Sequence, residues 1–324
     1  MMNTFFKMSR KSKRSIVLIF ALFALSLLNR NDSSENPSRK RSGRGLSGSS
    51  KDKEKVDAAD AVEKPIMHTF FEPNGPCCGM TEAGHANLVE AWELSWQSRG
   101  WDTKILTKED ALKNPEFDMY DKKLADLNVS EYNRRCFWRW LAMASISNDS
   151  EGGGWMSDYD TFPLGLTAEE GLEIAKQPGF KSYSLHVPNI IHATAAAWDR
   201  VMHAMLRVMP EEYEKRQPGD PQVTDMLMLL DAKNQFDNES MMITEWKSES
   251  RGFMYNETTL EILCDAARLA KVAHLSHADC ETAYELHTYP QFDGLNSTNF
   301  IEKRGEAALK YMNDYREQCL EKEL

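Results

Sequence analysis

Thirteen residues, Glu151 to Pro163 (EGGGWMSDYDTFP), hold the spacing in this chain best suited to chemistry. Gly152, Gly153 and Gly154 allow the backbone a close approach to a neighbouring group, and Asp158 and Asp160 follow with one residue between them. In an extended segment, residues two apart point to the same face, so both carboxylates would reach one target. Carboxylate oxygens suit hard cations such as Mg²⁺ or Mn²⁺, which keep ligand positions for water and for substrate phosphates. That chemistry fits a nucleotide-sugar site. A plain surface turn would have the same glycines and aspartates, but the apolar helix before it and Trp155, Met156 and Phe162 around it argue for a buried setting. An aspartyl phosphotransferase would need a β-branched apolar run before Asp158, where Gly-Gly-Gly-Trp-Met-Ser stands instead.

The elements that would position this stretch can be read on either side of it. Residues 65–71 (PIMHTFF) predict a strand, 81–99 a helix with Leu88, Ala91, Trp92, Ser95 and Trp96 on one face, and 101–106 a second strand. Strand, helix, strand with short joints is the start of a parallel α/β sheet. Residues 131–146 predict a strongly apolar helix leading into the glycines. Within it Arg139 lies among Phe137, Trp138, Trp140 and Leu141, either snorkelling from the core or aimed at an anion. Further on, helices are expected over 167–176, 194–209, 223–230, 260–270 and 301–324, with strands near 181–187 and 271–277. The Met- and Leu-rich segment 223–230 reads as core. Asp220 and Asp225, around a Pro-Gly-Asp-Pro loop, are candidates for orienting an acceptor.

Charge is divided unevenly. Residues 1–62 carry 13 Lys and Arg against 6 Asp and Glu, a net of +7, so the −11 of the whole chain leaves −18 for residues 63–324. A body this acidic excludes nucleic acid as a partner, because such binding needs a basic face. It also makes a divalent metal the natural helper for an anionic substrate. Residues 1–14 read as a basic cytoplasmic tail and 15–28, with the apolar run Ile16–Leu28, as a transmembrane signal anchor of type II orientation. The alternative is a cleaved signal, which would make the body lumenal or secreted. Residues 29–62 read as a disordered stem and 63–324 as the folded domain. Six Asn-x-Ser/Thr sequons, at Asn31, Asn128, Asn148, Asn238, Asn256 and Asn296, point to a glycoprotein of the secretory route. The six cysteines lack zinc-site spacing, and their pairing is left open.

Here the sequence resembles a known group. Arg139-Trp140-Leu141-Ala142-Met143-Ala144 followed by Gly153-Gly154-Trp155-Met156-Ser157-Asp158-Tyr159-Asp160 is similar to the sugar-binding region of Asp-x-Asp glycosyltransferases, the group of the yeast initiating α-1,6-mannosyltransferase and of α-1,4-N-acetylglucosaminyltransferase. Lys64-Pro65-Ile66-Met67-His68 is similar to the strand that opens those enzymes. The likeness spans about residues 64–165. The motif tyrosine is Met156 here, and the acidic residue three before the helix arginine is Cys136, departures that bear on donor identity.

The resemblance implies a GT-A-like single α/β domain, with a mostly parallel central sheet flanked by helices. It implies a retaining, Golgi-membrane transferase that takes a UDP- or GDP-sugar donor with Mn²⁺ or Mg²⁺. The acceptor would be a glycan, glycoprotein or glycolipid. Asp160 and Asp158 would hold the metal and serve catalysis, and Arg139, Gly153, Gly154 and Asp158 would contact the donor. A third metal ligand would come from His274 or His277, with His277 preferred. A relative that kept the fold and lost turnover, acting as a lumenal glycan-binding or scaffold protein, is the alternative.

Overall fold

The computed structural model describes residues 64–73, 80–147, 154–177, 179–182, 187, 189–215, 223–236, 243–245, 254–255, 259, 261–285 and 301–320. Outside these lie the expected tail, anchor and stem, Gly152 and Gly153, Asp220 with its loop, and Cys77 and Cys78. Among the described residues no helix is long and apolar enough to cross a membrane. One compact unit spans residues 61–324. Of the six sequon asparagines, Asn128 is among the described residues. It is exposed and left-handed (φ 55°), a conformation asparagine tolerates better than most residues.

A six-stranded sheet forms the centre. The strands are β1 (Ile66–Phe70), β2 (Asp102–Leu106), β3 (Gly154–Ser157), β5 (Phe180–Ser182), β6 (Ile190–Ala193) and β7 (Ile243–Glu245), in the order β2-β1-β3-β6-β5-β7. β1 pairs in parallel with β2 and β3, and β5 in parallel with β7, but β6 is antiparallel to both its neighbours. The sheet is therefore mixed, with one reversed strand. A second, two-stranded antiparallel sheet joins β4 (Thr161–Pro163) to β8 (Val272–His274).

Successive side chains of a strand face opposite ways, so β3 and β6 feed two cores. Met156 and Ile191 join a cluster with α3 (Phe117–Asp126), α4 (Glu131–Ser147), α6 (Ala195–Glu214) and α7 (Asp225–Phe236). Trp155 and Ile190 join the other, with α1 (Glu82–Ser98), α8 (Cys264–Ala270), α9 (His277–Glu285) and α10 (Arg304–Tyr315). Aromatic edges lock both layers. Trp96, Trp101 and Trp155 meet in T-shaped pairs 5.4 Å apart, and Trp140 lies against Trp198 at 5.5 Å and Phe180 at 6.0 Å. Two short helices complete the chain order, α2 (Lys108–Ala111) before α3 and α5 (Ala168–Ala175) after β4.

Close approaches make room for the helices that later matter. A Cβ on Gly154 would stand 2.7 Å from Cε of Met143 and 2.8 Å from Oγ of Ser147, so this glycine lets α4 press onto β3. A Cβ on Gly305 would stand 2.8 Å from the backbone nitrogen of Leu88, so α10 lies directly on the backbone of α1. A disulfide, Cys264–Cys319, ties the start of α8 to the π-helical turn Arg316–Leu320 that follows α10. Closing a loop of 55 residues constrains the unfolded chain by about 4 kcal/mol in the chain-entropy account.

His68 on β1 is buried, and its Nδ1–H donates to the Trp155 carbonyl at 2.8 Å. Burial pushes its pKa down from 6.5 to about 4. Below pH 6.5 the unfolded chain gains a proton that folded His68 refuses. Stability is therefore full above pH 6.5 and falls as the pH drops toward 4, by about 3 kcal/mol in all. His68→Gln should flatten this part of a plot of urea midpoint against pH. An unchanged slope in the variant would assign the loss to other groups.

Candidate functional site

The two aspartates come together through a turn rather than through strand alternation. β3 ends at Ser157, whose Oγ accepts from Nε1 of Trp92 at 2.8 Å. Asp158 extends the β3–β6 ladder by one bond, its N–H donating to the Asn189 carbonyl at 3.0 Å. The chain then reverses, with the Thr161 N–H donating back to the Asp158 carbonyl at 3.0 Å. On the far side the Asp160 carbonyl accepts from the Leu275 N–H at 2.8 Å, one step beyond the β4–β8 pair Thr161–His274. One sheet thus holds Asp158 and the other holds Asp160.

This turn stands at the carboxyl end of β3, beside that of β1. From β1 the chain moves outward to β2; β3 enters on the other side of β1, toward β6. A crevice outside the strand ends at such a switch is where open α/β sheets bind ligands. Aromatic rings cluster beside the turn: Tyr159 lies edge-on to Phe71 at 5.6 Å, and the buried His85 is 6.1 Å from Phe71.

Each carboxylate is given a cation. Arg139, on α4, forms an ion pair with Oδ1 of Asp158 and reaches Oδ2 of Asp225 through Nε at 2.9 Å and Nη2 at 2.5 Å. Nε1 of Trp140 donates to the same oxygen at 2.9 Å, and the Asp225 carboxylate is 3% exposed. Arg139 therefore points at anions, and they belong to the protein. Burial works against its charge, but Asp225 and then Asp158 outweigh it and push its pKa up. Arg304, the first residue of α10, forms an ion pair with Oδ2 of Asp160. Oδ1 of Asp160 is buried without a hydrogen-bond partner, and Nε2 of His274 lies 3.3 Å from it.

These environments separate the two aspartates. Burial raises Asp158, by more than Arg139 lowers it. Burial also opposes ionisation of Asp160, but Arg304 and then His274 bring it down to about 2. One ligand atom each from Asp158, Asp160 and His274 lies within 4.8 Å of the others. An oxygen, oxygen, nitrogen set of this kind fits a small divalent transition metal.

The structure thus brings Asp158, Asp160, Arg139 and His274 together. His277, the histidine preferred from sequence, stands exposed at the start of α9, outside this group, because the β4–β8 register carries His274 to the turn. Gly154 is buried beneath α4, where its missing side chain serves packing, and Gly153 lies outside the described residues. Asp225 acts as the partner of Arg139 and Trp140. Arg304 was not foreseen: it is one cation among many in a charged C-terminal helix. Its local signal is the neighbouring Gly305, a small residue at a helix start. A second group, Glu116, Asp199 and His203, also clusters, but on the exposed side of α6, as an ion-pair network.

Residues 50–274, more than half of the chain, match the family model described as Domain of unknown function (DUF8765). The chain belongs to this family. No protein with a curated description and no solved structure matches it. The family match ends at His274, so Arg304 and Cys319 lie beyond it.

Removal of Asp225 should be the most destabilising single change at the site. Asp225→Ala strands Nε and Nη2 of Arg139 and Nε1 of Trp140 and should cost about 3–5 kcal/mol in urea unfolding. Asp158→Ala should cost clearly less, because Arg139 keeps Asp225 and the Asp158 carboxylate is 24% exposed. Equal losses for the two variants would contradict this ordering.

Proposed function

We propose that this chain is a metal-dependent glycosyltransferase of GT-A type, moving a sugar from a UDP- or GDP-sugar to a glycan or glycoconjugate acceptor with retention of configuration. The observation that carries the reading is the group of Asp158, Asp160 and His274 at the switch point of the sheet, with Oδ1 of Asp160 turned toward Nε2 of His274 at 3.3 Å. The likeness of the Arg139 helix and the Asp-x-Asp segment to the mannosyltransferase group supports it, as does the α/β architecture with a mixed central sheet.

Asp160, Asp158 and His274 would hold Mn²⁺ or Mg²⁺. The metal would supply Lewis-acid stabilisation of the charge that develops on a departing nucleoside diphosphate. The protein's own part is to hold the site fixed before substrate arrives. Arg304 and His274 keep Asp160 ionised, and Arg139 fixes the Asp158 carboxylate from above the sheet. Phe71 and Tyr159, half-buried and edge-on to each other beside the turn, offer aromatic surface suited to a nucleobase, with the buried His85 behind them. The Cys264–Cys319 disulfide and the exposed sequon at Asn128 support passage through an oxidising, glycosylating compartment. Together with the basic tail and apolar run, they support a type II Golgi membrane protein.

The test is a donor screen by thermal shift, with and without Mn²⁺. A ligand that binds only the folded state raises Tm by mass action, by about 2.7 kcal/mol of stability at a hundredfold excess over Kd. At least one UDP- or GDP-sugar should raise Tm with Mn²⁺ present and not without it, and Asp160→Ala should abolish the rise. No metal-dependent shift with any donor would overturn the reading. Metal-dependent binding without nucleotide release would assign the chain to the glycan-binding alternative.

A further inference from the structure

Arg304 is fixed from several directions. Its Nε donates to the Leu275 carbonyl at 2.7 Å, its Nη1 approaches Sδ of Met80 at 3.7 Å, and its Nη2 pairs with Oδ2 of Asp160. The side chain is 6% exposed. Leu275 in turn donates its N–H to the Asp160 carbonyl, so Asp160, Leu275 and Arg304 form a closed ring of contacts. The helix that delivers Arg304 cannot slide away. Gly305 seats its first turn on the backbone of α1, and the disulfide at Cys319, with Nη2 of Arg268 on the Cys319 carbonyl at 2.7 Å, fastens its far end to α8.

This arrangement divides the two oxygens of Asp160. Oδ2 is taken by Arg304, while Oδ1 faces Nε2 of His274 at 3.3 Å. Large cations such as Ca²⁺ collect six to eight oxygen ligands and commonly take both oxygens of one carboxylate, whereas imidazole nitrogen suits transition metals. We propose that Arg304 is a specificity-determining residue that limits Asp160 to one metal-binding oxygen and so selects a Mn²⁺-class ion over Ca²⁺. This rests on the metal-dependent reading above and adds to it a residue outside the family-matched segment.

The test is competition on the full-length protein. Free Mn²⁺ is counted by its six-line electron paramagnetic resonance signal while Ca²⁺ is titrated in, for the wild type, Arg304→Met and Arg304→Lys. Loss of the Arg304 charge strengthens binding of every dication, so the ratio of Ca²⁺ to Mn²⁺ affinity is the quantity read. That ratio should rise about tenfold in Arg304→Met as Asp160 regains its second oxygen. It should also rise in Arg304→Lys, which keeps the charge but cannot span Leu275 and Asp160. An unchanged ratio in Arg304→Met, or a wild-type ratio in Arg304→Lys, overturns the inference and leaves the transferase reading standing. Absence of Mn²⁺ binding to the wild type overturns both. Should neither variant fold, a Mn²⁺-loaded crystal structure of the wild type decides: Arg304 still on Oδ2 supports the proposal, and Arg304 displaced by the ion overturns it.

Discussion

Two carboxylates one residue apart, turned into a protein interior, repel each other and lose their water. Asp158 and Asp160 are in that position, and much of the structure answers the problem. α4 presses onto β3 over Gly154 so that Arg139 can reach Asp158. α10 presses onto α1 over Gly305 so that Arg304 can reach Asp160. Each glycine stands in for a side chain because the cation behind it must come close. Desolvation of an unpaired charge costs several kcal/mol, which is why the arginines belong to the fold as much as to any chemistry.

The turn itself is secured by backbone bonds to two different sheets, through Asn189 on one side and Leu275 on the other. Its geometry follows from where those sheets are. Such preorganisation is what a site requires if charge is to be stabilised without rearrangement.

Local pattern made part of this legible in the sequence. β1, α1 and α4 were readable from their apolar runs and faces and β2 from its place after α1, and the two aspartates were readable from type and spacing alone. The reversed strand β6 was not. Ile190–Ala193 is four residues long and runs straight into an alanine-rich helix, so periodicity has too little length to act on. Reading Asp158 to Asp160 as extended also failed, since the turn is imposed by the pairing of β4 with β8, more than 100 residues later. The choice between His274 and His277 hung on that same register. Arg304 was beyond reach because an ion pair across 144 residues leaves no local trace.

That separation has a consequence for synthesis. A ribosome adds about 5–20 residues per second, so Asp160 emerges about 7–29 seconds before the arginine that neutralises it, 144 residues later. Through that interval the sheet can assemble from β1 to β6, but its acidic turn lacks one of its two cations. Docking of α10 supplies the missing cation, so the ion pairing of the acidic turn is completed only by the C-terminal helix.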